Sequence, residues 1–451
     1  MTSRNIRKLS HSEMDLYRKP LLPKTWSCFP VDKDIDTQSL RKILQKDLDS
    51  IRSGAEKDPF SNSITMLALN ISRRLEKKKL NYSALEALIQ RLAVGSFGLK
   101  ADRLKKYIGE VDREKNNNII RKLIKKLAYD SSGKVLPFEK FKEKIEADIF
   151  GIVLTAHPTF GIQSDLLENL ANMASMTDSK GNKISVFELK KIIKKIFQTE
   201  QRPDKNITLD YEHTLSIKAL KNLQNAIRSF YIQLLLISQQ IYPNEYTKLS
   251  PLIFSLHTWV GYDVDGRGDI SWVDTFSKRL KVKREQINLY LQSIYKLEKK
   301  KKLTGNALEI FNDIKKILNK GLDQTKLIFD KFSEEGFINK VDDIKKISKF
   351  MYQNKNSLLT DTKIISQKIT DIINLIKENK TKKFEKIIIE FQVFRTEIEN
   401  YGLGLGHTQI RLNANQLNNS ISKEINLHGE PDDPSNKRTY LNLVSKLIEK
   451  V

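Results

Sequence analysis

Apolar side chains recur every three or four residues along most of this chain, and that rhythm commits it to helices. Leu40, Ile43, Leu44, Leu48 and Ile51 fall on one helical face, as do Leu220, Leu223, Ile227, Phe230 and Leu234. A third stripe runs Phe384, Ile387, Ile388, Phe391, Phe394 and Ile398 and stops at Gly402, which predicts a helix C-cap there. Such stripes are core-facing, and 451 residues of which 39% are hydrophobic can bury a large core. Only two short runs break the rhythm with clear strand character. One is 151–155, Gly-Ile-Val-Leu-Thr, leading into Ala156-His157-Pro158, and the other is 253–259, Ile-Phe-Ser-Leu-His-Thr-Trp, leading into a Gly/Asp-rich turn. The expectation is a mostly α protein with a few short strands. Residues 1–35, with Pro20, Pro23 and Pro30 and no periodicity, read as an extended arm, and 36–451 as the helical body. Residues 177–183 read as a surface turn, and 428–434 as a loop before one last short helix.

A formal net charge of +24 raises the question of a nucleic-acid partner. The charge is spread along the chain, and its densest runs, Lys77 to Lys79 and Lys299 to Lys302, are short and carry no interleaved aromatics. They read as solvated helix faces, which argues against a nucleic-acid partner. The single cysteine, Cys28, excludes an intramolecular disulfide framework and a cysteine-based zinc site, and points to a reducing cytosol. Apolar runs such as Leu234 to Ile237 are far too short to span a bilayer, and residues 1–20 have no apolar core of a leader, so no membrane partner and a cytoplasmic protein are expected.

None of the six histidines, at 11, 157, 213, 257, 407 and 428, has the i, i+4 spacing of a helical zinc motif, which disfavours a histidine metal site. His157 has the most suggestive setting. A strand delivers it, Pro158 stiffens the following backbone and biases His157 to an extended conformation, and Thr155 and Thr159 offer hydroxyls that could orient an imidazole. Polar residues just after buried strands are where α/β barrels place their chemistry. Asp263 and Asp265 stand two residues apart in a glycine turn, a pattern that taken alone could supply cation ligands.

Four ordered segments carry a family resemblance. Thr155-Ala156-His157-Pro158-Thr159 looks like the active-site histidine signature of phosphoenolpyruvate carboxylases. Phe197 to Pro203 is similar to that family's Thr/Glu/Arg segment ahead of a long helix, here the Leu220 to Leu234 stripe. Trp259-Val260-Gly261-Tyr262-Asp263-Val264-Asp265-Gly266 resembles the family's Trp-x-Gly-Gly-Asp-Arg-Asp-Gly turn, and Tyr401-Gly402-Leu403 with Gln409-Ile410-Arg411 resembles its Phe-Gly-Leu and Asp-Ile-Arg-Gln segments.

The resemblance implies condensation of phosphoenolpyruvate with bicarbonate to oxaloacetate and phosphate, through carboxyphosphate and a pyruvate enolate. It implies His157 as general base and Arg411 as the grip on substrate phosphate, since guanidinium suits bidentate contact with phosphate oxygens. Thr155, Thr159, Gly261, Asp263, Asp265 and Gly266 would shape the pocket, the aspartates pairing with basic groups. The family's divalent metal, Mg2+ or Mn2+, would take its ligands from a C-terminal half beyond Val451, so no metal ligand is expected in this chain. The implied architecture is part of a (β/α)8-type barrel with parallel strands and many additional helices. On that expectation the polypeptide is a fragment, a split subunit or a degenerate homologue, joining a companion C-terminal half or a homo-oligomer, a tetramer by resemblance.

The sequence also departs from the pattern. Phe160 follows the histidine signature where Glu or Gln is usual, and no Lys or Arg occurs between His157 and Lys180 where the family has an arginine pair. Tyr262 stands for glycine, Val264 for arginine, Arg267-Gly268 for Asn-Pro, Gln409 for aspartate and Leu412 for glutamine. These changes motivate an alternative, a non-catalytic scaffold or regulatory homologue that has lost the pocket.

Overall fold

The computed structural model describes residues 37–58, 62–155, 162–178, 181–199, 204, 206–263, 270–300, 303–334, 336–378 and 385–409. The arm expected at 1–35 and the loop and helix expected after 428 lie outside these residues. The described chain is mostly helical, with one small parallel sheet. It divides into two compact units, residues 37–116 with 162–204, and residues 117–155 with 206–409.

The smaller unit holds α1 (Thr37–Lys57), α2 (Ser63–Glu76), α3 (Tyr82–Tyr107), α6 (Ser164–Ser175) and α7 (Val186–Gln198). Its apolar cluster joins Phe97 and Ala101 of α3 to Leu166 and Met173 of α6 and to Ile193 and Ile196 of α7. Local chemistry sets where α7 begins. The Ser185 hydroxyl accepts from the Glu188 amide while the Glu188 carboxylate accepts from the Ser185 amide, a reciprocal capping box. The stripe expected at the start of the chain does form α1, but only Leu40 is fully buried and Ile43 stays exposed. The expected turn at 177–183 is an antiparallel bridge between Thr177 and Lys183, closed by the Asp178 side chain accepting from the Asn182 amide.

The larger unit contains α4 (Arg113–Leu127, from residue 117), α5 (Phe138–Glu146), β1 (Phe150–Leu154), α8 (Leu209–Ile241), β2 (Phe254–Thr258), α9 (Trp272–Glu298), α10 (Gly305–Phe332), α11 (Val341–Gln353), α12 (Lys363–Glu378), α13 (Glu385–Tyr401) and β3 (His407–Thr408). The two strands read from the sequence are present, each one residue shorter or shifted at its ends. β3 is a third, and the order is β1-β2-β3 with both pairings parallel. Val153 stands opposite His257, and His257 opposite His407. Phe150 and Val153 of β1 remain exposed, so the apolar edge expected of a short parallel sheet is visible there.

One apolar cluster underlies the sheet and is built from α8, α9, α10, α12 and α13, with Tyr231, Ile287, Ile314, Ile369, Phe391 and Phe394 wholly buried. Several polar groups that enter this core find partners, whereas the buried Thr396 and Tyr401 hydroxyls have none among the described residues. Gln224 of α8 donates to the Gln286 side chain at 2.8 Å and to the Leu405 carbonyl at 2.9 Å, and Arg228 pairs with Glu397. Arg395 donates to the Thr247 and Leu249 carbonyls at 2.9 and 2.8 Å, satisfying carbonyls in and just after the short 3-10 turn Tyr246–Lys248. The third stripe forms α13 and ends where the sequence predicts, with Gly402 at φ +52° just past Tyr401.

Candidate active site at the sheet end

Parallel pairing directs the C-terminal ends of β1, β2 and β3 to one edge of the sheet, the edge at which open α/β sheets hold ligands. Thr155 leaves β1 there, Trp259 leaves β2, and Gln409 leaves β3. The Thr258 hydroxyl ties these exits together: it donates to the Leu154 carbonyl at 3.3 Å, accepts from the Val260 amide at 3.1 Å and lies 3.3 Å from the Ser216 hydroxyl. Beyond β2 the chain turns sharply, the Tyr262 amide donating to the Trp259 carbonyl at 2.8 Å.

Gly261 occupies φ +89° in this turn, and a Cβ there would lie 2.8 Å from Cδ of Lys278 and 3.1 Å from the His213 ring. Only glycine combines that backbone conformation with so close an approach. Tyr262 is buried edge-on to His213, ring centroids 5.8 Å apart, so the tyrosine that stands for a family glycine fills space between α8 and the turn. Burial, reinforced by Lys281 and Lys278, pushes the His213 imidazole down to about 3, which keeps it neutral. Burial likewise raises the Tyr262 phenol, against the opposing pull of Arg279.

Positive charge reaches this edge from α9. Its start is fixed by a second capping box, Ser271 with Asp274, and the following two turns present Lys278, Arg279 and Lys281. Lys278 is buried and pairs with Asp210 at 2.9 Å, Lys281 donates to the Thr214 hydroxyl at 3.0 Å, and Arg279 donates to the Thr408 hydroxyl at 2.9 Å. On the sheet itself, His257 and His407 stack with centroids 4.9 Å apart, and Gln409 reaches His257 Nδ1 at 3.3 Å. Burial, then the neighbouring His257, lowers the His407 imidazole.

Of the residues singled out in the sequence, Thr155, Gly261 and Asp263 lie at this edge, Thr155 exposed and Asp263 half-buried. His157, Thr159, Asp265, Gly266 and Arg411 fall outside the described residues. The sequence reading missed Lys278, Arg279, Lys281 and the His213–Tyr262 contact. A signal for the first three existed: Ser271 with Asp274 three residues later marks a helix start, and the cations follow within two to three turns.

A model of the phosphoenolpyruvate carboxylase family matches residues 99–425, well over half of the chain. The chain belongs to the phosphoenolpyruvate carboxylase family. No curated protein matches it. The helical body with a small parallel sheet is consistent with membership. The carboxylase family's divalent cation has no fitting donor set among the described residues, where no three His, Cys, Asp or Glu side chains gather to hold a metal ion. Asp210 is engaged by Lys278 and Asp274 by its own helix cap. Nor is any helix among the described residues long and apolar enough to cross a membrane.

Proposed function

We propose that the chain contributes to carboxylation of phosphoenolpyruvate by bicarbonate, with His157 as general base and Arg411 on substrate phosphate. A single observation carries the reading. β1 and β3 both run parallel to β2, and His157 and Arg411 each follow by three residues the last residue of β1 and of β3, Leu154 and Thr408. In the reaction, bicarbonate oxygen takes the phosphoryl group from phosphoenolpyruvate, leaving a pyruvate enolate and carboxyphosphate. The imidazole removes the carboxyphosphate proton, the C–O bond to phosphate breaks, and the enolate carbon attacks the released carbon dioxide to give oxaloacetate. Arg279, at the same edge, supplies positive charge toward the anions that the family's arginine pair would otherwise supply. Thr155, Thr159, Gly261, Asp263, Asp265 and Gly266 shape the pocket in this reading. Mg2+ or Mn2+, a (β/α)8-type barrel, a homo-oligomer or a companion C-terminal half, and a cytoplasmic location go with it by family resemblance.

Oxaloacetate formation with magnesium and bicarbonate, from the chain alone and with a polypeptide carrying the family's C-terminal segment, tests the reading. Activity is expected, and His157→Asn should abolish it while phosphoenolpyruvate binding persists; unchanged turnover would remove the base role. Buried Tyr262 in place of the family's turn glycine favours a second reading, a non-catalytic homologue. Calorimetric titration with phosphoenolpyruvate separates the two, since a scaffold gives no heat.

A further inference from the structure

A cavity of about 490 Å³ opens between the start of α8, the start of α9 and the end of α10, a volume in the range of small-molecule sites. One wall is cationic, formed by Lys278 and Lys281. Aromatic rings also line it, Phe332 and Phe337 with centroids 4.8 Å apart and half-buried Phe329, over whose ring the Arg284 guanidinium lies at 4.5 Å. Ser277 and Ser333, hydroxyls 3.2 Å apart, complete the lining.

Three acidic groups also line the space, and two are already compensated. Asp274 caps the first turn of α9, accepting from the Ser271 amide at 2.9 Å, and Glu334 pairs with Lys331 at 2.8 Å and Lys340 at 3.1 Å. That leaves Asp210 against two ammonium groups. The Lys278 side chain is 7% exposed, whereas its partner Asp210 is 78% exposed. A carboxylate so open to water holds its partner weakly, and a better-buried anion can take its place. Lys278 has little freedom to follow Asp210 into solvent, because its stem lies against Gly261.

We propose that this cavity binds a small organic anion with a flat apolar body, the anionic head displacing Asp210 from Lys278 and contacting Lys281, and the body lying on Phe329 and Phe332. Ser277 and Ser333 offer hydroxyls to the remaining oxygens of the head. Lys278 and Lys281 also border the sheet edge, but the proposal does not rest on the carboxylation reading and stands whether or not that reading does, because it is tested by binding alone.

Isothermal titration with benzoate as probe tests it, alongside the neutral isostere benzamide and the cation benzylammonium. Benzoate is expected to bind with a millimolar or tighter constant and to outcompete both others. Lys281→Gln should weaken benzoate by about tenfold, the worth of one charge-assisted hydrogen bond, and Phe329→Ala should weaken it as well. Lys278→Gln should abolish benzoate binding; Asp210→Asn, at an exposed position, should tighten it by freeing Lys278, and serves if Lys278→Gln does not fold. The proposal is overturned by benzamide or benzylammonium binding as well as benzoate, by Lys281→Gln leaving the affinity unchanged, by Asp210→Asn weakening it, or by the absence of benzoate heat.

Discussion

Burial decides the charge of His213. Its folded imidazole protonates only near pH 3, whereas in the unfolded chain it protonates near its ordinary value of 6.5. The unfolded state therefore gains a proton first as pH falls, and the stability His213 contributes is whole above pH 6.5 and lost toward pH 3, at about 1.4 kcal/mol per pH unit at most. Urea midpoints should fall from neutral to mildly acidic pH, and His213→Gln should flatten the fall; an equal slope in the variant would assign the titration elsewhere. Beside it, Gly261→Ala forces a Cβ into the left-handed region and onto the Lys278 stem, and should cost about 1–3 kcal/mol in denaturant unfolding. His157 and Arg411 stand out in the sequence because short motifs bracket them, and both lie outside the described residues. His213 and Tyr262 were not, since no local pattern reveals that residues 49 apart share one buried contact.

Among the elements, β3 depends on how closely its approach runs to β2. A Cβ on Gly406 would lie 2.7 Å from the Leu256 carbonyl oxygen, which is backbone and does not yield. Gly406→Ala should push β3 away and expose the Gln409 amide, now donating to the Thr258 carbonyl at 2.9 Å, to faster hydrogen exchange; unchanged protection there would refute the argument. β1 and β2 could be read from sequence as compact apolar runs ending in turns. Two residues of β3 carry no periodicity at all, and their strand character comes wholly from the partner beside them. The helical stripes were legible for the opposite reason, repeating over several turns; yet the α1 stripe is buried only at Leu40, because periodicity names a face and not the extent of its cover.

At the level of the whole molecule, a formal charge of +24 is spread along the chain, and part of it is met by ion pairs on separate helices. Lys221 pairs with Glu285, Lys300 with Glu390, Lys315 with Glu298 and Lys368 with Asp313, on several different helices. Charge distributed in this way should give weak, strongly salt-dependent binding to duplex or single-stranded DNA, negligible at about 150 mM salt by filter retention or anisotropy; tight binding there would restore a nucleic-acid role. α9 has a further consequence. Within two turns this one rod delivers Lys278 to Asp210, Arg279 to β3 and Lys283 to the Leu359 carbonyl, so its rotation about its own axis is indexed by three unrelated neighbours at once. Inserting a single residue between Trp272 and Lys278 would turn every later side chain by about 100°, dialling all three contacts out of register together. Length in that first stretch of α9 is thus far less negotiable than identity, and drift in this chain should show as substitution there and as insertion elsewhere.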